Sequence, residues 1–187
     1  MIPFPDKKYN IIYADPPWKF SSAKYNINFK GFDRLETFYP TMDTKEICSL
    51  PVKNISEEDT ILFMWVTDAH LQEGLEVIKS WGFKYKTIGF TWVKQHRTKS
   101  YCYNFGAYTL KSTEICLIGL KGKLKNIKKS NNVKGLVFAE RTKHSKKPNS
   151  VRDSIVQLCG DKPKIELFAR QEFEGWDSWG NEINKEN

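Results

Sequence analysis

The sequence predicts an α/β fold with a largely parallel sheet. Three observations carry this. Strand-like apolar runs alternate with amphipathic helical patterns. The strongest run, Thr60–Val66, is apolar on both faces, as a strand in a covered sheet is. Asp15 and Arg170 fall just past the ends of two predicted strands, where ligands sit in such sheets.

The elements follow in order. Tyr9–Ala14 is a buried strand that stops at Asp15-Pro16-Pro17-Trp18, because two prolines cannot continue a ladder. Lys19 to Met42 is polar and aromatic without a period, which predicts a long loop of the functional kind. After Thr60–Val66 comes a helix with Asp68 as its N-cap, Leu71, Leu75 and Ile78 along one face, and Gly82 as its stop. Tyr85–Val93, Glu114–Gly119 and the short Leu136–Ala139 are strands. Pro148 and Asn149 open a second helix, with Val151, Ile155 and Leu158 on one face and Gly160 after it. Lys164–Ala169 is the last strand.

Composition bounds the function. The 187 residues are read as one domain, 1–187, without repeats or low-complexity linkers. At 40% hydrophobic and 14% aromatic the chain can build a core, which excludes a disordered tail protein. At this size roughly 70% of the unfolded chain's surface can be buried without disulfides or a metal. The longest apolar run, Ile61–Val66, is far short of the roughly 20 residues a membrane helix needs. Met1–Asp6 lacks both the basic start and the apolar stretch of a signal peptide, so a cytoplasmic protein is expected. Cys48, Cys102, Cys116 and Cys159 are scattered with no C-x-x-C pair, so reduced thiols and no metal are expected. A net charge of +8 hints at a polyanionic partner.

Asp15-Pro16-Pro17-Trp18 is the segment that carries chemistry. The exocyclic amine of adenine is a poor nucleophile because its lone pair is delocalised into the ring. A carboxylate accepting one N–H and a carbonyl accepting the other favour a pyramidal nitrogen with its lone pair free. Asp15 supplies the carboxylate, and Pro16 offers a carbonyl at a corner that Pro17 stiffens by its fixed φ. Trp18 can stack on a base, a contact worth about 1–3 kcal/mol. The competing reading is a plain strand-to-loop turn with Trp18 in the core.

The chain resembles the MT-A70-like adenine N6-methyltransferase family in its short bacterial and phage form. The resemblance runs from Tyr9 to Glu182 and rests on the order of its motifs. Asp15-Pro16-Pro17-Trp18 is followed by Tyr39-Pro40-Thr41-Met42, Leu62 to Thr67, Trp81-Gly82-Phe83 and Trp92-Val93-Lys94. Then come His144 to Pro148, Glu166-Leu167-Phe168-Ala169-Arg170 and Gly175 to Glu182. It implies a Rossmann-like S-adenosylmethionine-dependent methyltransferase fold in permuted motif order, with a mostly parallel sheet and helices on both faces. The permutation accounts for the lack of any G-x-G in the sequence.

By the same resemblance Asp15 touches both the target amine and the ammonium of S-adenosylmethionine. Lys147 meets the methionyl carboxylate. Phe168 and Arg170 line the nucleoside, and Asn181 and Glu182 bond the ribose. Tyr39 belongs to the loop over the site. Glu166 is equally a structural or a cofactor-linked residue, His144 a loop hydrogen-bonder, and Trp176 and Trp179 packing residues. Relatives in bacteria often carry Arg and Asn in the stretch before Glu114; here that Arg is lost at Leu110, with Lys111 beside it, and Lys111, Trp18, Tyr39 and Lys94 make the expected substrate-binding set.

Three lysine-rich clusters suit a nucleic-acid backbone. They are Lys121 to Lys134, Arg141 to Lys147, and Lys94, His96, Arg97 and Lys99 interleaved with Tyr101 and Tyr103. DNA is favoured over RNA as substrate, and a homodimer or partner subunit is open. The alternatives are an RNA adenosine N6-methyltransferase and a catalytically inactive nucleic-acid-binding partner subunit.

Overall fold

The computed structural model describes residues 2–19, 40–106, 108–124, 127–142 and 146–183. Tyr39, His144 and most of the expected 19–42 loop lie outside the described residues. The described elements are β1 (Tyr9–Ala14), α1 (Thr44–Ser49), β2 (Ser56–Val66), α2 (Leu71–Ser80), β3 (Lys84–Gln95), β4 (Thr113–Lys121), β5 (Leu136–Glu140), α3 (Ser150–Cys159), β6 (Lys164–Leu167) and β7 (Asp177–Trp179). Single 3₁₀ turns at Val52–Ile55 and Asp68–His70 lead into β2 and α2. Among the described residues no helix is long and apolar enough to cross a membrane.

The strands form one sheet in the order β5-β3-β4-β2-β1-β6-β7. β1 pairs in parallel with both β2 and β6, as do β3 with β5 and β6 with β7. β4 runs against both of its neighbours, β2 and β3. The expected largely parallel sheet is therefore a mixed one. The connection is consistent with this: among the described residues between β3 and β4 there is no helix, the usual element of a parallel crossover.

Alternation along the central strands explains why they read as apolar throughout. Ile12, Ala14, Leu62, Met64, Ile165 and Leu167 face one way and pack under Ile47 of α1 and Val77 and Ile78 of α2. Ile11, Tyr13, Phe63, Trp65 and Cys116 face the other way, against Val151, Ile155 and Cys159 of α3. Full burial of such a side chain stabilises the fold by about 1.5–3 kcal/mol. Helices thus cover both faces of the sheet, as expected.

Three details differ from the sequence reading. α2 turns inward through Gly74, Val77 and Ile78, while Leu71 and Leu75 are exposed. Gly74 sets that register, since a Cβ there would stand 2.5 Å from Val66 Cγ1, so only glycine lets the helix lie this close to β2. α1 was not foreseen, although it carries a full capping box: the Glu46 N–H donates to Asp43 Oδ1 (2.8 Å) and the Asp43 N–H to Glu46 Oε2 (2.7 Å). β7 was also missed. It holds Trp179 against Phe4 and Phe168, and just before it Trp176 sits edge-on to Tyr13, so both tail tryptophans pack as expected.

Candidate active site

β1, β2, β3, β5, β6 and β7 run in one direction, so their carboxyl ends share one edge of the sheet. That edge gathers Asp15 after β1, Thr67–His70 after β2, residues 96–112 after β3, Phe168–Arg170 after β6 and Gly180–Glu182 after β7. The chain leaves β1 on one side toward β2 and returns on the other side as β6, the layout that opens a crevice at strand ends.

Lys147 enters this edge just before α3 and joins what the sequence separates by more than a hundred residues. Its ammonium donates to Asp15 Oδ2 at 2.7 Å and lies 3.1 Å from Glu114 Oε2. Lys94 binds the other Glu114 oxygen. Asp15, Lys147, Glu114 and Lys94 thus form a chain of alternating charge, two of each sign. The Lys147, Glu114 and Lys94 side chains are buried, and the Asp15 side chain is 19% exposed at the open end. Burial alone would pull the Lys147 pKa down, but Asp15 and Glu114 outweigh it and hold the ammonium well above its ordinary value. Burial would likewise raise Glu114, and the ammoniums of Lys147 and Lys94 outweigh it and hold the carboxyl below its ordinary value.

A second buried pair supports β1 from beneath. Arg152 of α3 forks onto Glu166 of β6, Nε to Oε2 at 2.7 Å and Nη2 to Oε1 at 2.6 Å. The guanidinium carbon lies 3.7 Å from the Phe173 ring centroid and 5.3 Å from that of Tyr13. Burial raises the Glu166 carboxyl, Asp15 adds to the rise, and Arg152 opposes it. Of the two readings left open for Glu166, its contacts are the structural ones.

The proline corner is tight. Pro16 is buried and its carbonyl accepts the Trp18 N–H at 2.9 Å, which leaves one lone pair for a second donor. The Pro17 carbonyl accepts the Met42 N–H at 2.8 Å. Trp18 is 5% exposed: its indole N–H donates to the Trp65 carbonyl (3.1 Å) and its ring stacks on His70 at 5.5 Å. The structure therefore places Trp18 in the core beside the site, the competing reading of this residue, and not as an open base platform.

The other expected residues divide. Phe168 stands at φ +61°, a strained backbone for a bulky residue, directly past β6. Beside it the tail docks through Gly180, where a Cβ would stand 2.2 Å from the Ala169 carbonyl oxygen. This close approach brings Glu182 Oε2 to 4.0 Å from Arg170 Nε, with the exposed Asn181 next to it in sequence. Lys111 is half-exposed and pairs with Asp68 at 3.2 Å. Lys94 is only 7% exposed and is committed to Glu114, so it is not presented to a phosphate, while His96, Arg97 and Lys99 are exposed. The lysine cluster that begins at Lys121 leaves β4 at the opposite edge of the sheet, away from Asp15, because β4 is reversed.

The sequence reading missed the part played by Glu114 and Arg152. The signal was present as an acid inside the apolar runs Glu114–Gly119 and Lys164–Ala169, which demands a buried cation. Which cation answers is a tertiary fact.

An open sheet edge carrying a partly exposed carboxylate, with polar side chains on the adjacent strand ends, defines an α/β enzyme that binds its ligands at the carboxyl edge. The chain belongs to the MT-A70 family, whose model matches residues 9–182. It is 40% identical over 192 residues to the Type II methyltransferase M.MunI of Mycoplasma sp, covering 96% of this chain and 79% of that protein. It is 29% identical over 181 residues to the N(6)-adenosine-methyltransferase MT-A70-like of Arabidopsis thaliana, covering 94% of this chain and 24% of that protein. With the N(6)-adenosine-methyltransferase catalytic subunit METTL3 of Homo sapiens it shares 26% over 181 residues, 95% of this chain and 28% of that protein.

Proposed function

We propose that this protein is an S-adenosylmethionine-dependent methyltransferase acting on the N6 amine of adenine in DNA. The observation that carries this reading is the Asp15–Lys147 pair at the open end of β1, facing Phe168 and Arg170 at the end of β6. Family membership supports the Rossmann-like methyltransferase fold, and the 40% identity to a Type II methyltransferase supports DNA over RNA.

The donor set suits the cofactor. Asp15 would take the methionyl ammonium and Lys147 the carboxylate, while Arg170, Asn181 and Glu182 would take the ribose hydroxyls beside Phe168. Bound there, S-adenosylmethionine supplies an electrophilic methyl group. Asp15 then has a second task. It accepts one N–H of the target amine while the free lone pair of the Pro16 carbonyl accepts the other, which turns the nitrogen lone pair outward. Both acceptors also stabilise positive charge growing on that nitrogen. The rigid corner fixes them in place before the substrate arrives, so most of the rate gain is orientation. Lys147 holds the Asp15 carboxylate by a hydrogen bond, and Glu114 with Lys94 keeps Lys147 in place. The methylated amine sheds its extra proton to water, so no general base is required.

Two further readings stand beside this one. An RNA adenosine N6-methyltransferase is supported by the names of the plant and human relatives, and an inactive nucleic-acid-binding subunit by the basic composition. The test is mass spectrometry of nucleosides from DNA and from RNA incubated with the protein and the methyl donor. N6-methyladenine in the DNA digest is the expected result. Its appearance only in RNA selects the second reading, and its absence from both the third.

A further inference from the structure

The geometry points to His70 as a positioning residue of the catalytic corner, one that acts through Trp18 to aim the Pro16 carbonyl at the target amine. This rests on the methyl-transfer reading above and names the device that holds one of its two acceptors.

The corner needs such a device. Proline fixes φ at Pro16 and Pro17, but the direction of the Pro16 carbonyl is set by ψ of Pro16. The following proline narrows that angle only to a window of about 40°. A group that must meet a reacting atom is held to about 10–20°. The remaining restraint comes from Trp18, whose backbone N–H donates to the Pro16 carbonyl at 2.9 Å. Trp18 cannot shift without turning the peptide that carries this oxygen.

Trp18 is in turn held by the end of β2. Its indole N–H donates to the Trp65 carbonyl at 3.1 Å, and its ring stacks on His70 with centroids 5.5 Å apart and planes 18° from parallel. His70 lies in the 3₁₀ turn after β2 and is 3% exposed. A buried imidazole requires partners for its ring nitrogens. Nε2 stands 3.2 Å from the Lys19 carbonyl, and Nδ1 stands 2.8 Å from Thr67 Oγ1. A carbonyl only accepts, so Nε2 carries the hydrogen, and in the neutral ring Nδ1 accepts from the Thr67 hydroxyl. Thr67 directly follows β2, so this bond fixes the ring to the strand end. The bond to Lys19 fixes the backbone that leaves the corner, whose N–H also donates to the Met42 carbonyl at 3.2 Å.

The position asks for three properties together: a flat face for the indole, a donor for Lys19 and an acceptor for Thr67. Phenylalanine supplies only the face, and alanine supplies none. That difference separates positioning from mere stability. His70→Ala and His70→Phe forfeit the same two hydrogen bonds, and only the second keeps the stack that holds Trp18.

The experiment uses the full-length protein with His70→Ala, His70→Phe and Thr67→Val, on whichever nucleic acid the wild type methylates. It reads kcat and KM, cofactor affinity by calorimetry, and thermal melting. His70→Ala should lose about tenfold or more in kcat, since a small misplacement of a reacting group is costly. Its KM and cofactor affinity should stay within about twofold of wild type, because an acceptor aimed at the transition state is lost and not ground-state binding. His70→Phe should recover most of kcat. Thr67→Val, which unties the ring from β2, should lower kcat about threefold or more. A wild-type kcat in His70→Ala overturns the proposal, as does a loss that phenylalanine fails to restore or one matched by weaker cofactor binding. If His70→Ala does not fold, Thr67→Val decides, and a wild-type kcat there overturns it equally. A wild type that transfers no methyl group to DNA or RNA defeats the functional reading itself, a result distinct from each of these.

Discussion

At the residue scale the site is an electrostatic arrangement. Asp15 is the open end of a four-charge chain, and removing it leaves Lys147 still paired with Glu114. Asp15→Ala should therefore lose methyl transfer by about 10²-fold or more while the circular dichroism spectrum is retained; a wild-type rate would remove the corner from catalysis. Glu114 is different, because it lies between two buried ammoniums. Glu114→Gln leaves Lys147 with Asp15 alone and takes from the buried Lys94 the carboxylate that binds it, and should destabilise the fold by about 3–5 kcal/mol in chemical denaturation. The pH dependence follows from the direction of its shift. The Glu114 carboxyl is held below its ordinary 4.5, so its contribution to stability is present above pH 4.5 and is lost as pH falls through the lower folded value. The wild type should lose stability on acidification below pH 4.5, and the Gln variant should lack that component of the slope. Parallel acid limbs for the two proteins would refute the assignment.

At the element scale, the packing of α2 on β2 depends on one missing methyl. Alanine in a helix interior is favoured over glycine by about 1 kcal/mol. At Gly74 the added Cβ would stand 2.5 Å from Val66 Cγ1, so overpacking, typically about 1–3 kcal/mol, should win. Gly74→Ala should lower the melting temperature, and a rise would show that the helix can move away freely. Legibility in sequence varied by element for physical reasons. β1 was read to its exact ends because prolines stop it on one side. α2 lies where the sequence places it, but of the expected stripe only Ile78 turns in while Leu71 and Leu75 stay exposed, because the proximity of Val66 to Gly74 decides which face meets the sheet. β7 is three residues long and makes sense only as a partner for β6. The reversal of β4 leaves no mark on the residues within the strand; its one trace in the sequence is the lack of a helical pattern between β3 and β4.

At the scale of the whole molecule, the net charge of +8 and the exposed Arg97 and Lys99 after β3 predict salt-dependent DNA binding. Affinity measured by fluorescence anisotropy should fall steeply between about 50 and 200 mM salt, with log affinity linear in log salt. A flat response would argue against phosphate contacts. The sequence by itself determined the order of motifs, the apolar alternation that makes both faces of the sheet bury, the proline corner after β1 and the overall charge, since each is local or compositional. Tertiary structure alone decided that Lys147 answers Asp15 across 132 residues, that Glu114 and Lys94 complete their charge chain, that Trp18 turns into the core and that Lys111 meets Asp68 beyond the end of β2. Each of these depends on which strands are neighbours and which way they run. That is fixed by the burial of the whole sheet and not by any segment within it.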